Sequence, residues 1–428
     1  MSPTINRRSF LGTSTLAGAS LATGSLFAVN LTEKTKKLKV GLIGCGGRGT
    51  VALSDFLEAC KILGLQGEVV ATADAFKANA EAAGKSHGLG PERCFGGYDA
   101  YQKVVASDCD FVVMATPPAF RPVHLAAAVE AGKHCFIEKP VAVDPVGARA
   151  IIATGAKAAT KGLGIVAGTH LRRTAEYRRN KALIDAGAIG AIRGGVVRWN
   201  GGGPWIAPRR AEESDASYMT RNWLNFTELS GDHIVEQHVH NLDVAVWFLG
   251  RLPVSAEGFG GRARRETGNQ FDFFSIDLDF GDGVHIHSQC RQIFGTHGSG
   301  GEIFTGVDGI CYGSGKVTGK AVEVAPITVD SGNAYVQEHV ELIRSVLAGQ
   351  PLNEAKTIAE STLVAIMGRI SAYTGSFVRM ADLLENDKSA LYGLACSPTA
   401  LDFEKGPIKL PAEVPPVPGD GAKFPTRA

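Results

Sequence analysis

The sequence predicts a two-domain α/β protein, in which a domain built on a parallel sheet precedes an α+β domain with a largely antiparallel sheet open on one face. Three observations support this prediction. Short apolar runs alternate with helical stretches up to about residue 160, as in doubly wound α/β folds. A glycine-rich turn joins the first run to the first helical stretch. Apolar and polar residues alternate across 274–280 and again across 284–287, on either side of a Gly-Asp-Gly turn, which is typical of an antiparallel hairpin.

The composition is that of an ordinary globular protein, with 44% hydrophobic and 20% charged residues in a chain of 428. The formal net charge is +1, so we expect no nucleic acid and no anionic membrane as partner, and a weakly charged small molecule instead. The eight cysteines form no CxxC pair and show no zinc-site spacing. We therefore predict buried free thiols and no metal site.

Residues 1–32 have the features of an export signal. Arg7 and Arg8 precede Ser-Phe-Leu, and a mildly apolar stretch follows that is too polar for a stable membrane span. This arrangement resembles a twin-arginine signal, and the alternative is a disordered basic tail. We expect a periplasmic or otherwise exported protein with no integral membrane span in its mature form. The twin-arginine route carries proteins that have already folded, so export by this route is compatible with unpaired cysteines.

A GxGxxG turn follows the first apolar run, residues 38–44, and a helical stretch at 51–63 comes after it. Strand, glycine turn and helix form the context in which this motif binds a dinucleotide. Gly44 permits the tight turn, Gly46 lets the backbone approach a pyrophosphate, and Gly49 lets the helix pack on the strand. The predicted cofactor contacts in the turn are Gly44, Gly46, Gly47, Arg48 and Gly49. Arg48 either reaches a phosphate or is merely solvated.

The second apolar run, residues 68–74, ends in Asp74, an acid 25 residues after Gly49. An acid at this place accepts hydrogen bonds from the adenosine ribose and repels a 2′-phosphate. We therefore predict a Rossmann domain that binds NAD in preference to NADP. The alternative is a glycine-rich turn with Asp74 as the N-cap of the next helix.

Two further strands end in residues suited to a ligand site. The run at 110–116 stops at a Thr-Pro-Pro sequence, and a later run ends in Glu-Lys-Pro. Ligands bind at the carboxyl ends of strands in open α/β sheets. We therefore add to the cofactor contacts Thr116, Pro117, Glu138 and Lys139. A lysine at such a tip is suited to proton transfer with a substrate hydroxyl, and the alternative is an exposed loop lysine.

The Glu-Lys-Pro sequence at 138–140, behind a GxGxxG turn and a Thr-Pro-Pro strand end, resembles the Gfo/Idh/MocA family, which includes glucose-fructose oxidoreductase and inositol dehydrogenase. The resemblance continues through His170-Leu-Arg-Arg, Tyr177 and the Gly-Ala-Ile-Gly at 187–190, and it covers roughly residues 36–380. It implies an NAD-dependent oxidoreductase that acts on a hydroxyl group of a sugar, glycoside or polyol.

In this family the lysine of Glu-Lys-Pro contacts substrate and nicotinamide, and it works with an Asp and a His four residues apart on a helix. Lys139 and His240 match two of these residues, whereas Glu236 stands where many members have Asp. We assign His240 as the base, Lys139 as the group that positions the oxygen, and Glu236 as the group that orients His240. Helical geometry supports this choice, since Glu236, His240 and Asp243 fall on one face of a single helix. His238 points away and is expected to be structural.

Substrate contacts are expected mainly from the second domain. The irregular segment 199–226 carries aromatic and arginine side chains that suit sugar rings and hydroxyl groups, although ordinary packing explains any single one equally well. The predicted substrate contacts are Arg172, Tyr177, Trp205, Trp223 and Asp243. The same segment is a candidate cover for a tightly held cofactor.

In the second domain, the polar positions of the 274–287 hairpin are expected to share an open face through which subunits of a homo-oligomer pair. Helices are predicted at 335–347 and 357–373. The predicted divisions are an export signal at 1–32, an NAD-binding domain at 36–160, a substrate and oligomerisation domain at 161–397, and a Pro-rich extended tail without assigned role at 398–428.

Three functions remain open from the sequence. The first is oxidation of a sugar or polyol hydroxyl with tightly held NAD. The second is a glycoside hydrolase that oxidises its substrate transiently, eliminates the aglycone, adds water and reduces the product. The third is a non-catalytic sugar-binding protein in which NAD has only a structural role. The presence of Lys139 and His240 argues against this third function. An assay on glycosides that compares the release of NADH with the release of the aglycone separates the first two functions.

Overall fold

The computed structural model describes residues 37–419. The export signal predicted at residues 1–32 therefore lies outside the described residues. Among residues 37–419, no helix combines the length and the apolar character needed to cross a lipid bilayer.

The first domain is a parallel six-stranded sheet in the order β3-β2-β1-β4-β5-β6, which is the doubly wound Rossmann order. Its strands are β1 Lys37–Ile43, β2 Gln66–Asp74, β3 Cys94–Gly96, β4 Phe111–Met114, β5 His134–Ile137 and β6 Ile165–Ala167. Its helices are α1 Gly47–Ile62, α2 Lys77–Ser86, α3 Tyr101–Val105, α4 Arg121–Glu130 and α5 Pro145–Thr160. The predicted Rossmann domain is confirmed, but β6 carries its sheet beyond the expected boundary at residue 160.

The second domain holds a seven-stranded sheet in the order β12-β11-β7-β10-β9-β8-β13. Its strands are β7 Ile192–Gly201, β8 Ser255–Gly261, β9 Phe273–Asp279, β10 His285–Gln292, β11 Ser299–Gly306, β12 Ile310–Cys311 and β13 Val378–Arg379. Only the β7–β10 pair is parallel, so the predicted largely antiparallel sheet is confirmed.

Nine α-helices follow β6 in the described chain, and only some of them pack on the second sheet. They are α6 Ala175–Asp185, α7 Asp215–Arg221, α8 Thr227–Ser230, α9 His233–Glu236, α10 Val239–Leu249, α11 Ala334–Leu347, α12 Ala355–Thr374, α13 Met380–Leu384 and α14 Ala400–Lys405. The helices predicted at 335–347 and 357–373 correspond to α11 and α12.

The hairpin of β9 and β10 has the predicted alternation. Ile276, Leu278 and Ile286 are at most 1% exposed and face the core. On the other face, His285 Nδ1 lies 2.7 Å from Asp277 Oδ2. Within the described chain, no three His, Cys, Asp or Glu side chains come together as a metal site.

Two C-terminal helices complete the first domain. The apolar side of α11, through Val336, Val340 and Ile343, shares a buried cluster with Phe56 of α1. Helix α12 begins in the first-domain core at Ile358 and continues into the core of the second domain. The two halves of the molecule are thus joined by shared packing, and the predicted sequence boundary does not separate them in space.

All eight cysteines are buried and unpaired, as predicted. Within the predicted extended tail, Ala400–Lys405 form the helix α14, whereas residues 406–419 contain no helix or strand. Thr399 and Asp402 form a capping box at the start of α14: the side chain of each residue accepts a hydrogen bond from the main-chain amide of the other. Apolar Phe403 then anchors this helix in a buried cluster. The high Pro content of residues 398–428 hides this short amphipathic stretch in the sequence.

Candidate active site

The glycine turn after β1 is shaped to receive a pyrophosphate. Gly44 has φ +92°, a conformation that a side chain would strain. A Cβ at Gly49 would lie 1.8 Å from the Gly44 carbonyl oxygen, so only glycine allows α1 to begin so close to β1. Gly46 and Gly47 have open space where their Cβ atoms would be. A phosphate can therefore reach the amides at the N-terminus of α1, and the turn fits NAD.

Asp74, at the end of β2, supports the same turn. Its Oδ2 accepts a hydrogen bond of 2.8 Å from the amide of Cys45, and its Oδ1 accepts one of 2.9 Å from the amide of Phe76. The N-cap of α2 is Phe76 rather than Asp74, so the alternative role considered from the sequence does not apply. The carboxylate fixes the turn while it faces the cleft.

A cleft of about 880 Å³ opens along this edge of the sheet. Its first-domain lining includes Gly44, Gly46, Asp74, Thr116, Pro117, Tyr98 and Phe120. Its second-domain lining comes from residues 202–226, here called the lid, through Trp205, Ala207, Arg210, Thr220, Arg221 and Trp223. Lys139 and His240 do not line this cleft. The structure thus places Trp205 and Trp223, predicted as substrate contacts, in the same cleft as Asp74, the residue that marks the adenosine end of a dinucleotide site in this fold.

Arg48 is held by carboxylates rather than left in solvent. Its Nε donates to Glu138, one of its terminal nitrogens lies 3.3 Å from Asp55 Oδ2, and its guanidinium lies 4.6 Å from the ring centre of Tyr335. The other Glu138 oxygen accepts a 3.0 Å hydrogen bond from the amide of Lys139. Glu138 therefore links the glycine turn to the tip of β5.

Lys139 reaches across to the second domain. Its ammonium group donates to the Glu236 main-chain oxygen at 2.7 Å and lies 3.3 Å from Glu236 Oε1. The other oxygen, Oε2, is buried without a hydrogen-bond partner. The expectation that Glu236 orients His240 is not what the contacts show, since the partner of Glu236 is Lys139. The helix is also broken between them, because α9 ends at Glu236 and α10 begins at Val239.

His240 lies at the junction of the two domains and is 8% exposed. Its ring centre lies 4.7 Å from that of His170, edge to face. Burial, and then the positive charge of Lys139, hold the pKa of His240 well below its usual range. The imidazole is therefore neutral at neutral pH and able to accept a proton.

His170 is a site residue that sequence reasoning did not assign. It follows β6 at the carboxyl edge of the sheet, and its ring stacks on Tyr335 with centres 4.5 Å apart. Burial, together with the charge of Lys139, lowers the pKa of His170 to about 4. Its position after a strand that ends beside Glu-Lys-Pro was the available signal. Tyr335 carries no such sequence signal, because α11 is distant in sequence from the other site residues.

The other predicted substrate residues are engaged within the protein. Arg172 forms a two-point ion pair with Asp243, at 2.7 and 2.8 Å, and Asp243 also accepts from Ser361. The Tyr177 hydroxyl donates to buried Glu302 at 2.7 Å inside the second-domain core, away from the cleft.

His238 is structural, as predicted. It is fully buried, and its Nε2 lies 2.9 Å from the hydroxyl oxygen of Ser288 on β10. This contact ties the segment between α9 and α10 to the second sheet.

Main-chain amides arranged for a pyrophosphate can hold a hydride carrier such as NAD, and a buried neutral imidazole at the same domain junction as a lysine can move a proton. The two together place the chain in the class of NAD-binding oxidoreductases. The chain belongs to the GFO/IDH/MocA family: residues 38–164 match its oxidoreductase family domain with an NAD-binding Rossmann fold, and residues 177–305 match its C-terminal domain.

Characterised relatives share this region. An inositol 2-dehydrogenase of Rhizobium meliloti is 26% identical over 281 residues, which are 62% of this chain and 74% of that protein. A 1-carboxy-3-chloro-3,4-dihydroxycyclohexa-1,5-diene dehydrogenase of Comamonas testosteroni is 29% identical over 257 residues, 58% of this chain and 56% of that protein. The match thus spans between about half and three quarters of these relatives.

Solved structures share the fold. The WlbA dehydrogenase of Bordetella pertussis, in complex with NADH and UDP-GlcNAcA, has a TM-score of 0.62 at 19% identity, covering 80% of this chain and 98% of that one. The scyllo-inositol dehydrogenase of Lactobacillus casei has a TM-score of 0.62 at 20% identity, covering 81% and 99%.

Proposed function

We propose that this protein oxidises a secondary hydroxyl group of a sugar or cyclic polyol and passes the hydride to NAD. The observation that carries the proposal is the joining of Lys139, at the tip of β5, to the second-domain segment that bears His240. The names of the dehydrogenase relatives support a polyol or sugar as substrate class. They favour a dehydrogenase over the glycoside hydrolase considered from the sequence.

Each polar group then has a separate role. His240, kept neutral because burial and the charge of Lys139 lower its pKa, takes the proton of the reacting hydroxyl. Lys139 has three N–H donors, two of which point to Glu236, so the third is left to hold the substrate oxygen. Glu236 positions Lys139. Bound NAD supplies the hydride acceptor.

Asp243 lies one turn along α10 from His240 and, with Arg172, remains our candidate for contact with neighbouring substrate hydroxyls. Because the two side chains already neutralise each other, they would recognise an uncharged ring. Tyr177 is left out of this proposal, since its hydroxyl group is committed to Glu302.

We also propose that the protein is exported by the twin-arginine route, with NAD in preference to NADP already in place. Arg7 and Arg8 support export, and Asp74 at the cofactor cleft supports NAD. Outside the cytoplasm little free nicotinamide is available, so a retained cofactor must be regenerated in the site, for instance by a second carbonyl substrate that accepts the hydride. Pairing of subunits through the open sheet face is part of the same proposal.

The test is a single-turnover experiment on the mature protein, purified without added cofactor. Inositols, sugars and aryl glycosides are mixed in turn with the enzyme while NADH absorbance and aglycone release are followed. We expect about one equivalent of NADH from a polyol or sugar and its loss on addition of a carbonyl sugar. NADH formation by Lys139→Ala should be at least about 10²-fold slower. Aglycone release without net NADH indicates the hydrolase instead. Protein that lacks NAD and turns over only with millimolar NAD contradicts cofactor retention.

A further inference from the structure

The lid over the adenosine end of the cleft is internally braced. Arg221 forms a two-point ion pair with Glu213, at 2.7 and 2.5 Å, and also donates to the Pro208 carbonyl oxygen. Asn222, fully buried, exchanges two hydrogen bonds with the main chain of Ala207. These contacts join the first part of the lid, around Ala207 and Pro208, to its helix α7, so we expect the lid to move as one folded piece.

A segment from the far end of the chain lies behind this lid. Residues 399–413, here called the strap, comprise α14 and the chain that follows it. Phe403 of α14 is 4% exposed and shares a buried cluster with Tyr218 and Phe226 of the lid. The amide of Leu410 donates a 2.8 Å hydrogen bond to Asp215, at the start of α7.

The strap also touches the first-domain wall of the cleft. The ring of Phe403 lies 5.1 Å from that of Tyr98 and 5.3 Å from that of Phe120, between ring centres, and both residues line the cleft. The Tyr98 hydroxyl in turn lies 2.9 Å from the hydroxyl of Thr220 in the lid. Phe403 thus backs the place where lid and first domain meet.

Beyond the lid, the strap is fastened to the second domain. Glu413 accepts a 2.9 Å hydrogen bond from the Gly268 amide through its side chain and one of 3.3 Å from Arg262 through its carbonyl oxygen. The strap therefore crosses from the first domain, over the outside of the lid, to the second sheet. Opening the lid requires Phe403 to leave its buried cluster.

We infer that the strap holds the lid shut over the adenosine half of the cofactor, so that Phe403 and Leu410 are positioning residues for a resident NAD. The ligand concerned is the adenosine diphosphate part of the dinucleotide, because Asp74 and the glycine turn mark that half of the site. This inference rests on the proposed function for the identity of the cofactor. It adds that cofactor release depends on residues that do not touch the cofactor.

The test compares Phe403→Ala with Val414→Ala, a matched control in the same tail where the side chain is 68% exposed. Release of bound NADH is followed by the loss of its fluorescence in excess NAD. We expect release from Phe403→Ala to be about 10- to 100-fold faster, and release from Val414→Ala to be unchanged. Affinity for ADP-ribose should fall by a similar factor, whereas affinity for nicotinamide mononucleotide, which lacks adenosine, should not.

Equal weakening of both ligands would mean general loosening and would overturn the inference, as would unchanged release from a folded Phe403→Ala protein. If that variant does not fold, Asp215→Ala decides, because it removes the acceptor of the Leu410 amide. The same change also removes the ion pair between Asp215 and Arg209, so Arg209→Gln, which removes that ion pair and keeps the Leu410 acceptor, is its control. We expect a several-fold faster release from Asp215→Ala; no change overturns the inference. These binding measurements need no substrate, so a failure of the proposed polyol oxidation would be seen separately.

Discussion

The ammonium group of Lys139 lies 2.7 Å from the main-chain oxygen of Glu236, and this hydrogen bond joins the tip of β5 to the end of α9 across the domain junction. A main-chain acceptor cannot be removed by mutation of Glu236. The lysine therefore keeps one anchor whatever side chain stands at that position.

We predict that Lys139→Ala and His240→Ala each lose about 10²- to 10⁴-fold in kcat/KM on the correct substrate, the usual contribution of a general acid–base group. Neither residue lines the adenosine cleft, so NAD affinity should stay within a few-fold of wild type. Steady-state kinetics and calorimetric titration with NAD measure the two effects. A variant with near-wild-type kcat/KM would remove that residue from the mechanism.

Glu236→Gln is expected to lower kcat/KM much less, by about tenfold, since the main-chain anchor of Lys139 and one side-chain acceptor remain. Glu236→Ala should be worse than Glu236→Gln. The comparison is made by kinetics at several pH values. Equal losses from Glu236→Gln and Lys139→Ala would instead show that the carboxylate itself takes part in proton transfer.

Asp74 should impose the choice of cofactor. Replacement by Ser removes a negative charge from the place of a 2′-phosphate, and we expect discrimination against NADP to fall by about tenfold or more. Because Asp74 also accepts from the Cys45 amide, Asp74→Asn serves as the control that keeps an acceptor without the charge. Dissociation constants for NAD and NADP are the measurement. Equal affinities in the wild-type protein would contradict this role.

The buried histidines predict a loss of stability in acid. Burial lowers the pKa of His124, His238 and His339 to about 3 in the folded protein, against about 6.5 in an unfolded chain. Between these values the unfolded state binds more protons, so the free energy of unfolding falls as pH drops below 6.5. The slope is about 1.4 kcal/mol per pH unit for each histidine.

Urea unfolding at pH 4.5 to 7.5 tests this dependence. His238→Gln should reduce the slope by the share of one histidine, whereas His285→Gln, on the open sheet face, should not reduce it. The pKa of His285 is raised by its hydrogen bond to Asp277, so that residue acts in the opposite direction. A slope unchanged by His238→Gln would contradict the assignment.

The ion pair between Arg172 and Asp243 should matter for stability. With side chains 15% and 4% exposed, Asp243→Asn leaves a buried guanidinium without its counter-charge, and we expect a loss of about 3 kcal/mol. The exposed pair of Arg344 and Asp330 is the matched comparison, where Asp330→Asn should cost less than about 1 kcal/mol. Chemical denaturation of both variants gives the difference, and equal losses would argue against a special role for the buried pair.

The first domain was predictable because its signals are local. The steric demand at Gly44 and Gly49 can be met only by glycine, and the parallel strands are continuous apolar runs. Lys139 and His240 were found through their motifs, and the structure places both at the domain junction.

The parts that could not be predicted depend on long-range contacts. No Gly or Pro marks the end of α9; instead the His238 amide bonds back to His233 and its ring to Ser288, which widens the turn there. Helical periodicity therefore predicts that Glu236 shares a helix face with His240, whereas in the structure Glu236 contacts Lys139. Tyr177 has the composition of a sugar contact, but its partner Glu302 lies 125 residues away and left no local signal.

The packing of α11 against α1 has a consequence for how the chain is made. The sheet of the first domain is complete in sequence once β6 has emerged, but the side that α1 and α2 cover lacks its remaining helix until Ala334–Leu347 has been synthesised. At 5–20 residues per second, this delay is roughly 10–40 s. During this time the apolar residues that later meet α11, Phe56 among them, lack that cover on the growing chain and present a surface for aggregation or chaperone binding.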